Sequence, residues 1–239
     1  MSLEELVKQA NYNLKIIMSN KYIVCIIFSI LAPFMVNFAN DSIIKILFEL
    51  YISIIGIVIF TDIMQVEQRY STIELLYLTN VNKFFLVTLR TLINIAFICV
   101  FSIVTYFSAN YIIHKEVILR IQDYFSVMVV FLPTTMFLGF LSMLIANIFN
   151  NATLGYITSF IYWLIWFVNR DVHTIFNLFC FSSQIEYYIR SKVFLAIFSL
   201  IILSLNYIFI NRSPFSNIIL LHISKIWIRF LNFIHANRS

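Results

Sequence analysis

Side chains that could carry out catalysis or bind a metal are few in this sequence, and their spacing fits no known site. With only three glycines, the chain has no glycine-rich loop that could hold a phosphate. No two histidines stand one helical turn apart, as the paired zinc ligands of a helix do. Cys25 and Cys99 lie inside apolar runs, where a cysteine is typically a small buried side chain. The sequence therefore predicts no catalytic residue, no metal site and no enzymatic activity.

Polar residues inside long apolar runs are the strongest candidates for a functional site. Glu49, Ser53 and Gly56 are spaced three to four residues apart, which places them on one face of a helix. Asn94 belongs to a similar polar stripe in the next apolar run. In lipid such groups must face protein or water, so we predict that Glu49, Ser53 and Asn94 line a polar path. Two alternatives stay open: simple helix packing, and for Glu49 an ion pair with a cation such as Lys45.

Small residues four apart predict close helix packing at two further places. Ser142 and Ala146 form one such pair, and Gly155 and Ser159 form the other. Small side chains let two helix backbones approach each other closely in a membrane.

The composition predicts an all-α, polytopic membrane protein. The chain is 62% hydrophobic and 11% charged, whereas a soluble domain carries about 25% charged residues. Its apolar runs are long enough for helices that cross the bilayer. We predict a single transmembrane domain over residues 1–239 with six spans. The spans lie at 21–39, 43–66, 84–113, 124–148, 152–168 and 193–210.

The distribution of Lys and Arg predicts that both termini are cytoplasmic, by the excess of cations in inner loops. Ten of the 16 Lys and Arg residues fall in the segments assigned to the inside. They are Lys8, Lys15, Lys21, Arg69, Lys83, Arg90, Arg212, Lys225, Arg229 and Arg238. The net charge of +5 follows from this bias and not from a basic face for nucleic acid. The frequent Ile, Asn, Phe and Lys are typical of an AT-rich bacterial genome, so the expected location is a bacterial plasma membrane.

Both ends of the chain predict helices at the membrane surface. Ser2 and Glu5 match a capping box, and apolar residues recur at helical spacing over 1–20, as in an interfacial helix. A solvated leader helix is the alternative there. In the tail, 211–239, Ser213 and Pro214 are typical of a helix start. Lys225 and Arg229 interrupt the following apolar run, which favours an interfacial helix over a seventh span.

The charged interruption at 67–90 separates two apolar runs and must meet something aqueous. Within it, Ser71 to Tyr77 predict a short amphipathic helix, with Glu74 in its first turn, where a carboxylate favours the helix dipole. Ile73, Leu76 and Tyr77 form an apolar face too small to bury itself. A short helix with such a face is suited to dock in a groove of a soluble partner.

This segment resembles the cytoplasmic segment of ABC type-2 exporter permeases. The family shows a Glu, then Arg, Gly, Thr, Leu, Glu and two Leu, followed by Pro-Val-Ser-Arg and a Gly-Lys pair that opens the third span. Tyr70 and Asn80 replace the family's glycine and proline, and Arg90 replaces its lysine. The residues that match in type are Glu67, Arg69, Thr72, Glu74, Leu75, Leu76, Val81 and Lys83. Six spans, an interfacial N-terminal helix and an irregular outer segment at 169–192 extend the resemblance over the whole chain.

The resemblance implies a transmembrane subunit of an ATP-driven exporter. Two permease subunits would pair in the bilayer as a homo- or heterodimer, and each would recruit a separate ATPase that binds ATP and Mg²⁺. This chain itself would bind no cofactor. The residues implied to couple it to the ATPase are Glu67, Arg69, Thr72, Ile73, Glu74, Leu76, Tyr77, Lys83 and Arg90.

The sequence constrains the transported substrate less than it constrains the fold. It also leaves two other functions open. Spans rich in Phe, Tyr and Ile with few fixed charges favour an amphipathic peptide, an antimicrobial compound or a drug-like hydrophobic molecule. A non-transporting membrane protein, such as an immunity or sensor subunit, is the first rival. An intramembrane enzyme is the second, and it would require a catalytic pair that the sequence does not reveal.

Overall fold

The computed structural model describes residues 13–14, 20–36, 42–65, 83–115, 121–172, 174, 176–183 and 188–210. This part of the chain is all-helical and contains no strand, which confirms the all-α part of the predicted fold class. The segment at 66–82 and the tail at 211–239 lie outside the described residues. Of the N-terminal segment before residue 20, only the helical residues 13 and 14 are described, so the interfacial helix stays a prediction.

Six helical elements follow one another along the described chain. Helix α1 is Asn20–Leu31, and a 3-10 turn at Ala32–Met35 extends it. Helix α2 has three parts: an α-helical turn at Ser42–Leu47, a π-helical segment at Phe48–Ile52 and an α-helix at Ile54–Phe60. The remaining helices are α3, Lys83–His114; α4, Ile121–Phe149; α5, Ala152–Val168; and α6, Tyr188–Ile210.

Four of these elements contain a stretch long and apolar enough to cross a membrane: α2, α3, α4 and α6. Helices α1 and α5 are equally apolar but shorter. Proline lacks the N–H that a continuing α-helix requires. The α-helical part of α1 therefore ends at Leu31, and Pro33 lies in the 3-10 turn that follows it. Helix α5 has 17 residues, or about 25 Å at 1.5 Å per residue, against roughly 30 Å of hydrocarbon. The structure supports a membrane protein with four spanning helices, and a six-span topology stays a prediction.

A two-residue turn joins α4 to α5 and makes them antiparallel neighbours. Asn150 takes a left-handed conformation with φ of 50°, and the N–H of Asn151 donates to the Ala146 carbonyl at 3.0 Å. These are features of a helix C-terminus that satisfies its last carbonyls. The Asn151 side chain then caps α5 by accepting from the Thr153 N–H at 2.9 Å.

Helix α4 lies at the centre of the bundle and packs against α2, α5 and α6. Glycines make the closest approaches. Gly155 on α5 faces the carbonyl oxygen of Ser142 and the side chain of Ala146 on α4, with no space for a methyl group. Gly56 on α2 lies equally close to the backbone of Thr135 on α4. The predicted close packing through Ser142, Ala146 and Gly155 is therefore confirmed.

Replacing Gly56 with alanine is expected to destabilise the bundle. A methyl group at this position would overlap the Thr135 carbonyl, which belongs to rigid helix backbone. We expect a loss of about 1–3 kcal/mol, as for other overpacked cores. Thermal unfolding in detergent measures it, with Ala96→Val on the exposed face of α3 as a control that should be nearly neutral. Equal effects of the two substitutions would contradict the close α2–α4 contact.

Candidate functional site

Charged side chains with little or no exposure lie in two clusters along α2, one around Glu49 inside the helix and one around Asp62, two residues beyond its last residue. Glu49 and Lys192 belong to the first, and Lys21, Asp62 and Arg90 belong to the second. We call these the Glu49 end and the Asp62 end of the bundle. Along α2 the two carboxylates are thirteen residues apart, which corresponds to roughly 20 Å of helix.

The π-helical segment of α2 carries Glu49 and is held by a tryptophan of α5. Its wide turn is closed by the N–H of Ser53, which donates to the Phe48 carbonyl at 3.2 Å. Such a turn leaves backbone groups that need other partners. The Trp163 indole N–H donates to the Leu50 carbonyl at 3.0 Å and supplies one. π turns are rare and frequently mark functional sites.

Glu49 and Lys192 form a fully buried ion pair between α2 and α6, with 2.6 Å between Nζ of Lys192 and Oε1 of Glu49. The ammonium also donates to the Thr134 hydroxyl and to the Leu178 carbonyl, each at 2.7 Å. Each of its three protons therefore has an acceptor. A buried ion pair needs such extra hydrogen bonds, because the cost of removing two charges from water is large.

The same carboxylate holds a non-helical segment between α5 and α6. The backbone N–H of Phe181 donates to Oε1 of Glu49 at 3.1 Å, and that of Ser182 donates to Oε2 at 2.8 Å. We call residues 176–183 the seal segment. Its central residues Leu178, Phe179 and Cys180 are completely buried.

The seal segment fills the space between four helices at the Glu49 end. Phe179 packs edge-on against Trp163 of α5, with ring centroids 6.2 Å apart, and Phe176 packs against Phe194 of α6 at 5.3 Å. Contacts with Glu49 and Thr134 add α2 and α4. Thr134 lies about 20 Å along α4 from its first residue. Irregular backbone at such depth in a membrane protein is tolerated only where protein surrounds it.

The Asp62 end joins α1, α2 and α3. Lys21 pairs with Asp62 and also donates to the Ile59 carbonyl at 3.3 Å. Arg90 of α3 is buried; its Nε donates to the Asn13 side chain at 2.9 Å and its Nη1 to the Ile63 carbonyl at 3.1 Å.

One further hydrogen-bonded chain lies in this cluster. The Tyr22 hydroxyl donates to the Asn94 side-chain oxygen at 2.6 Å, and the Asn94 amide donates to the Ile59 carbonyl at 3.4 Å. The start of α1, the end of α2 and the start of α3 are thus linked by polar side chains.

The three residues predicted to line a path are separated by the fold. Glu49 and Ser53 lie at the Glu49 end, and Asn94 lies at the Asp62 end; all three are completely buried and hydrogen-bonded. The cation that pairs with Glu49 is Lys192 and not Lys45, which instead lies over the Phe181 ring at 5.7 Å. Path lining by these three residues therefore stays a prediction.

Most of the predicted coupling residues cannot be placed. Lys83 is the first residue of α3, and Arg90 lies two turns later, buried in the Asp62 cluster. The others lie in the segment outside the described residues: Glu67, Arg69, Thr72, Ile73, Glu74, Leu76 and Tyr77.

The sequence analysis missed Lys192 because it assigned residues 169–192 to an outer segment. In the structure α6 begins at Tyr188, so Lys192 points from a helix into the protein. The need of a buried carboxylate for a cation was visible in the sequence. Its identity was not, because residues 49 and 192 meet only in the folded bundle.

Comparison with known proteins gives no match: no protein-family model, no curated protein and no solved structure is similar to this chain. The class of protein is therefore defined by the helices themselves. In its described part the protein is all-helical, has four helices long and apolar enough to cross a membrane, and holds its buried charges in two clusters.

Replacing Lys192 with methionine is expected to destabilise the protein by about 3–5 kcal/mol, because it leaves the Glu49 carboxylate buried without a cation. Adding Glu49→Gln should restore much of the loss, since the double variant buries no net charge. Thermal unfolding in detergent tests this cycle. Lys45→Met, one turn from Glu49 but outside the ion pair, is the matched control and should change stability little. A loss with Lys45→Met as large as that with Lys192→Met would contradict the assignment.

Proposed function

We propose that this chain is the transmembrane permease subunit of an ATP-driven ABC exporter in a bacterial plasma membrane. In this proposal the chain has six spans, with α1 and α5 as the short ones, and the Asp62 end faces the cytoplasm. The resemblance of residues 67–90 to type-2 permeases supports it, as do the apolar helices of spanning length.

The main support from the structure is the way in which the segment at 66–82 is attached. The chain enters it just after Ile63 and leaves it just before α3. Arg90, two turns into α3, donates to the carbonyl of Ile63. Its guanidinium thus connects the helix that follows the segment with the residues that precede it. The ion pair of Lys21 with Asp62 fixes the same entrance to α1. A force applied to residues 66–82 would therefore reach α1, α2 and α3 together.

A further contact extends this attachment to the centre of the bundle. The side-chain amide of Gln65 donates to the Ala146 carbonyl of α4 at 2.7 Å. Since α4 packs against α2, α5 and α6, a push at the Asp62 end would be transmitted to most of the bundle. This arrangement suits a segment that receives force from a motor made by another polypeptide.

The partners and cargo follow from the same proposal. A separate ATPase subunit would bind ATP and Mg²⁺ and would dock on the apolar face of Ile73, Leu76 and Tyr77. A second permease subunit, identical or different, would complete the path within the lipid bilayer. The proposed cargo is an amphipathic peptide, an antimicrobial compound or a drug-like hydrophobic molecule that leaves the cell. Few exposed charges and many exposed Ile, Leu and Phe side chains on the described helices are compatible with such a cargo.

Leu76→Asp is expected to separate the chain from its ATPase without preventing membrane insertion. A charge in an apolar docking contact costs about 2 kcal/mol or more, so the affinity for the partner should fall by roughly thirtyfold or more. The tagged chain is purified from membranes of its own host in mild detergent, and a photoreactive ATP analogue labels the co-purified subunit. Val172→Asp is the matched control, because Val172 is exposed at the Glu49 end, and it should leave recovery unchanged.

Two outcomes would contradict the proposal. One is equal recovery of an ATP-labelled partner with Leu76→Asp and with the wild type. The other is a wild-type chain that inserts normally and brings no ATP-binding subunit, which would instead favour an immunity or sensor subunit.

A further inference from the structure

We propose that Glu49 and Lys192 form a latch that holds the seal segment closed over the Glu49 end of the bundle, and that a change in α2 releases it. The latch rests on the proposed function for its role, which is to keep the exit of the path shut until ATP is used, and for the outward orientation of the Glu49 end on which the labelling test relies.

The ion pair is the junction of three helices with the seal segment. Glu49 of α2 accepts from two successive N–H groups of that segment, and Lys192 of α6 donates to its Leu178 carbonyl. Lys192 also donates to Thr134 of α4. The Thr134 hydroxyl in turn donates to the same Leu178 carbonyl at 3.3 Å, which closes a small network.

These contacts are cooperative because the seal segment is not a regular helix. The N–H groups of Phe181 and Ser182 rely on the Glu49 carboxylate, since no helix or strand ladder supplies their acceptors. Withdrawal of Glu49 would leave two half-buried N–H donors unpaired and the buried Lys192 ammonium without its anion. Buried groups without partners are costly. The closed arrangement therefore persists as a unit or opens as a unit.

The π turn in α2 offers a way to withdraw Glu49. A π turn contains one residue more than an α turn, and one residue corresponds to about 100° of rotation about the helix axis. Conversion of Phe48–Ile52 to regular α-helix would rotate Glu49 by that angle relative to the following part of α2. Asp62 follows the last residue of α2 by two positions and lies next to the proposed coupling segment in the sequence. A pull at the Asp62 end can thus reach the latch through a single helix.

Cys180 provides a natural reporter of this opening. It is completely buried in the seal segment, where its sulfur lies 3.1 Å from both the Asn177 carbonyl oxygen and the Ser191 hydroxyl oxygen. Burial raises the pKa of the Cys180 thiol, so it is protonated and slow to react at neutral pH. Exposure of the segment would remove both kinds of protection.

The test measures labelling of Cys180 by a membrane-impermeant maleimide added outside intact cells. The other two cysteines, Cys25 and Cys99, are replaced by alanine. Wild-type protein should react slowly. Glu49→Gln should react at least about tenfold faster, since reaction of a buried thiol follows the free energy of local opening. Asp123→Asn, which neutralises an exposed carboxylate in the first turn of α4, is the matched control and should stay at the wild-type rate.

A charge swap separates the latch from a simple ion pair. Glu49→Lys with Lys192→Glu restores opposite charges, but a lysine at position 49 cannot accept from the N–H groups of Phe181 and Ser182. We therefore expect fast labelling in the swap. Slow labelling in the swap would overturn the latch as described, because charge alone would then hold the segment.

A milder variant keeps the test decisive if Glu49→Gln unfolds the protein. Thr134→Val removes one acceptor from Lys192 without changing a charge, and it should give a smaller increase in labelling with a cooperative thermal transition. Wild-type labelling rates in both Glu49→Gln and Thr134→Val would overturn the latch.

The proposed function is tested separately by ATP. In inside-out membrane vesicles of the native complex with the maleimide inside, added ATP should accelerate labelling of Cys180 in the wild type. If ATP does not change the labelling rate of the wild type while Glu49→Gln is labelled fast, the latch stands and the proposed function is contradicted. If an ATP-binding partner is present but Glu49→Gln stays protected, the latch is overturned and the proposed function stands.

Discussion

The Glu49 carboxylate imposes the strongest constraint on this bundle. A charged group removed from water must find donors within the protein, and Glu49 finds one ammonium and two backbone N–H groups. Those donors come from α6 and from the seal segment, so the constraint fixes how α6 and the segment before it lie against α2. Lys192 then requires acceptors of its own and takes them from α4 and the seal segment. One carboxylate thereby organises four parts of the chain.

Helix α2 connects the two buried charge clusters, and its irregularity matters for that reason. A regular α-helix between Glu49 and Asp62 would behave as a stiff rod. The π segment at Phe48–Ile52 instead places an alternative backbone arrangement next to Glu49, with Trp163 holding the freed Leu50 carbonyl. At the other end, Lys21 and Arg90 fix the final turns of α2 to α1 and α3.

Close packing around α4 joins the helices that carry the two charge clusters. Gly56, Gly139 and Gly155 let α2, α4 and α5 approach one another closely, because a side chain at any of these positions would overlap the neighbouring helix. Asn147 and Asn206 add a hydrogen bond of 2.7 Å between α4 and α6. Packed helices of this kind shift together and do not deform independently.

The sequence by itself determined the helical membrane class, because 62% hydrophobic residues in runs of helical length leave few alternatives. It also determined the close packing at Gly155 and the need of Glu49 for a partner, since small-residue spacing and a carboxylate among apolar residues are local signals. Only the tertiary structure decided that the partner is Lys192, that Asn94 lies far from Glu49, and that residues 176–183 fold into the bundle. These facts depend on which helices become neighbours. That choice is made by packing over the whole chain, and residues 143 positions apart carry no mark in the sequence that they will meet.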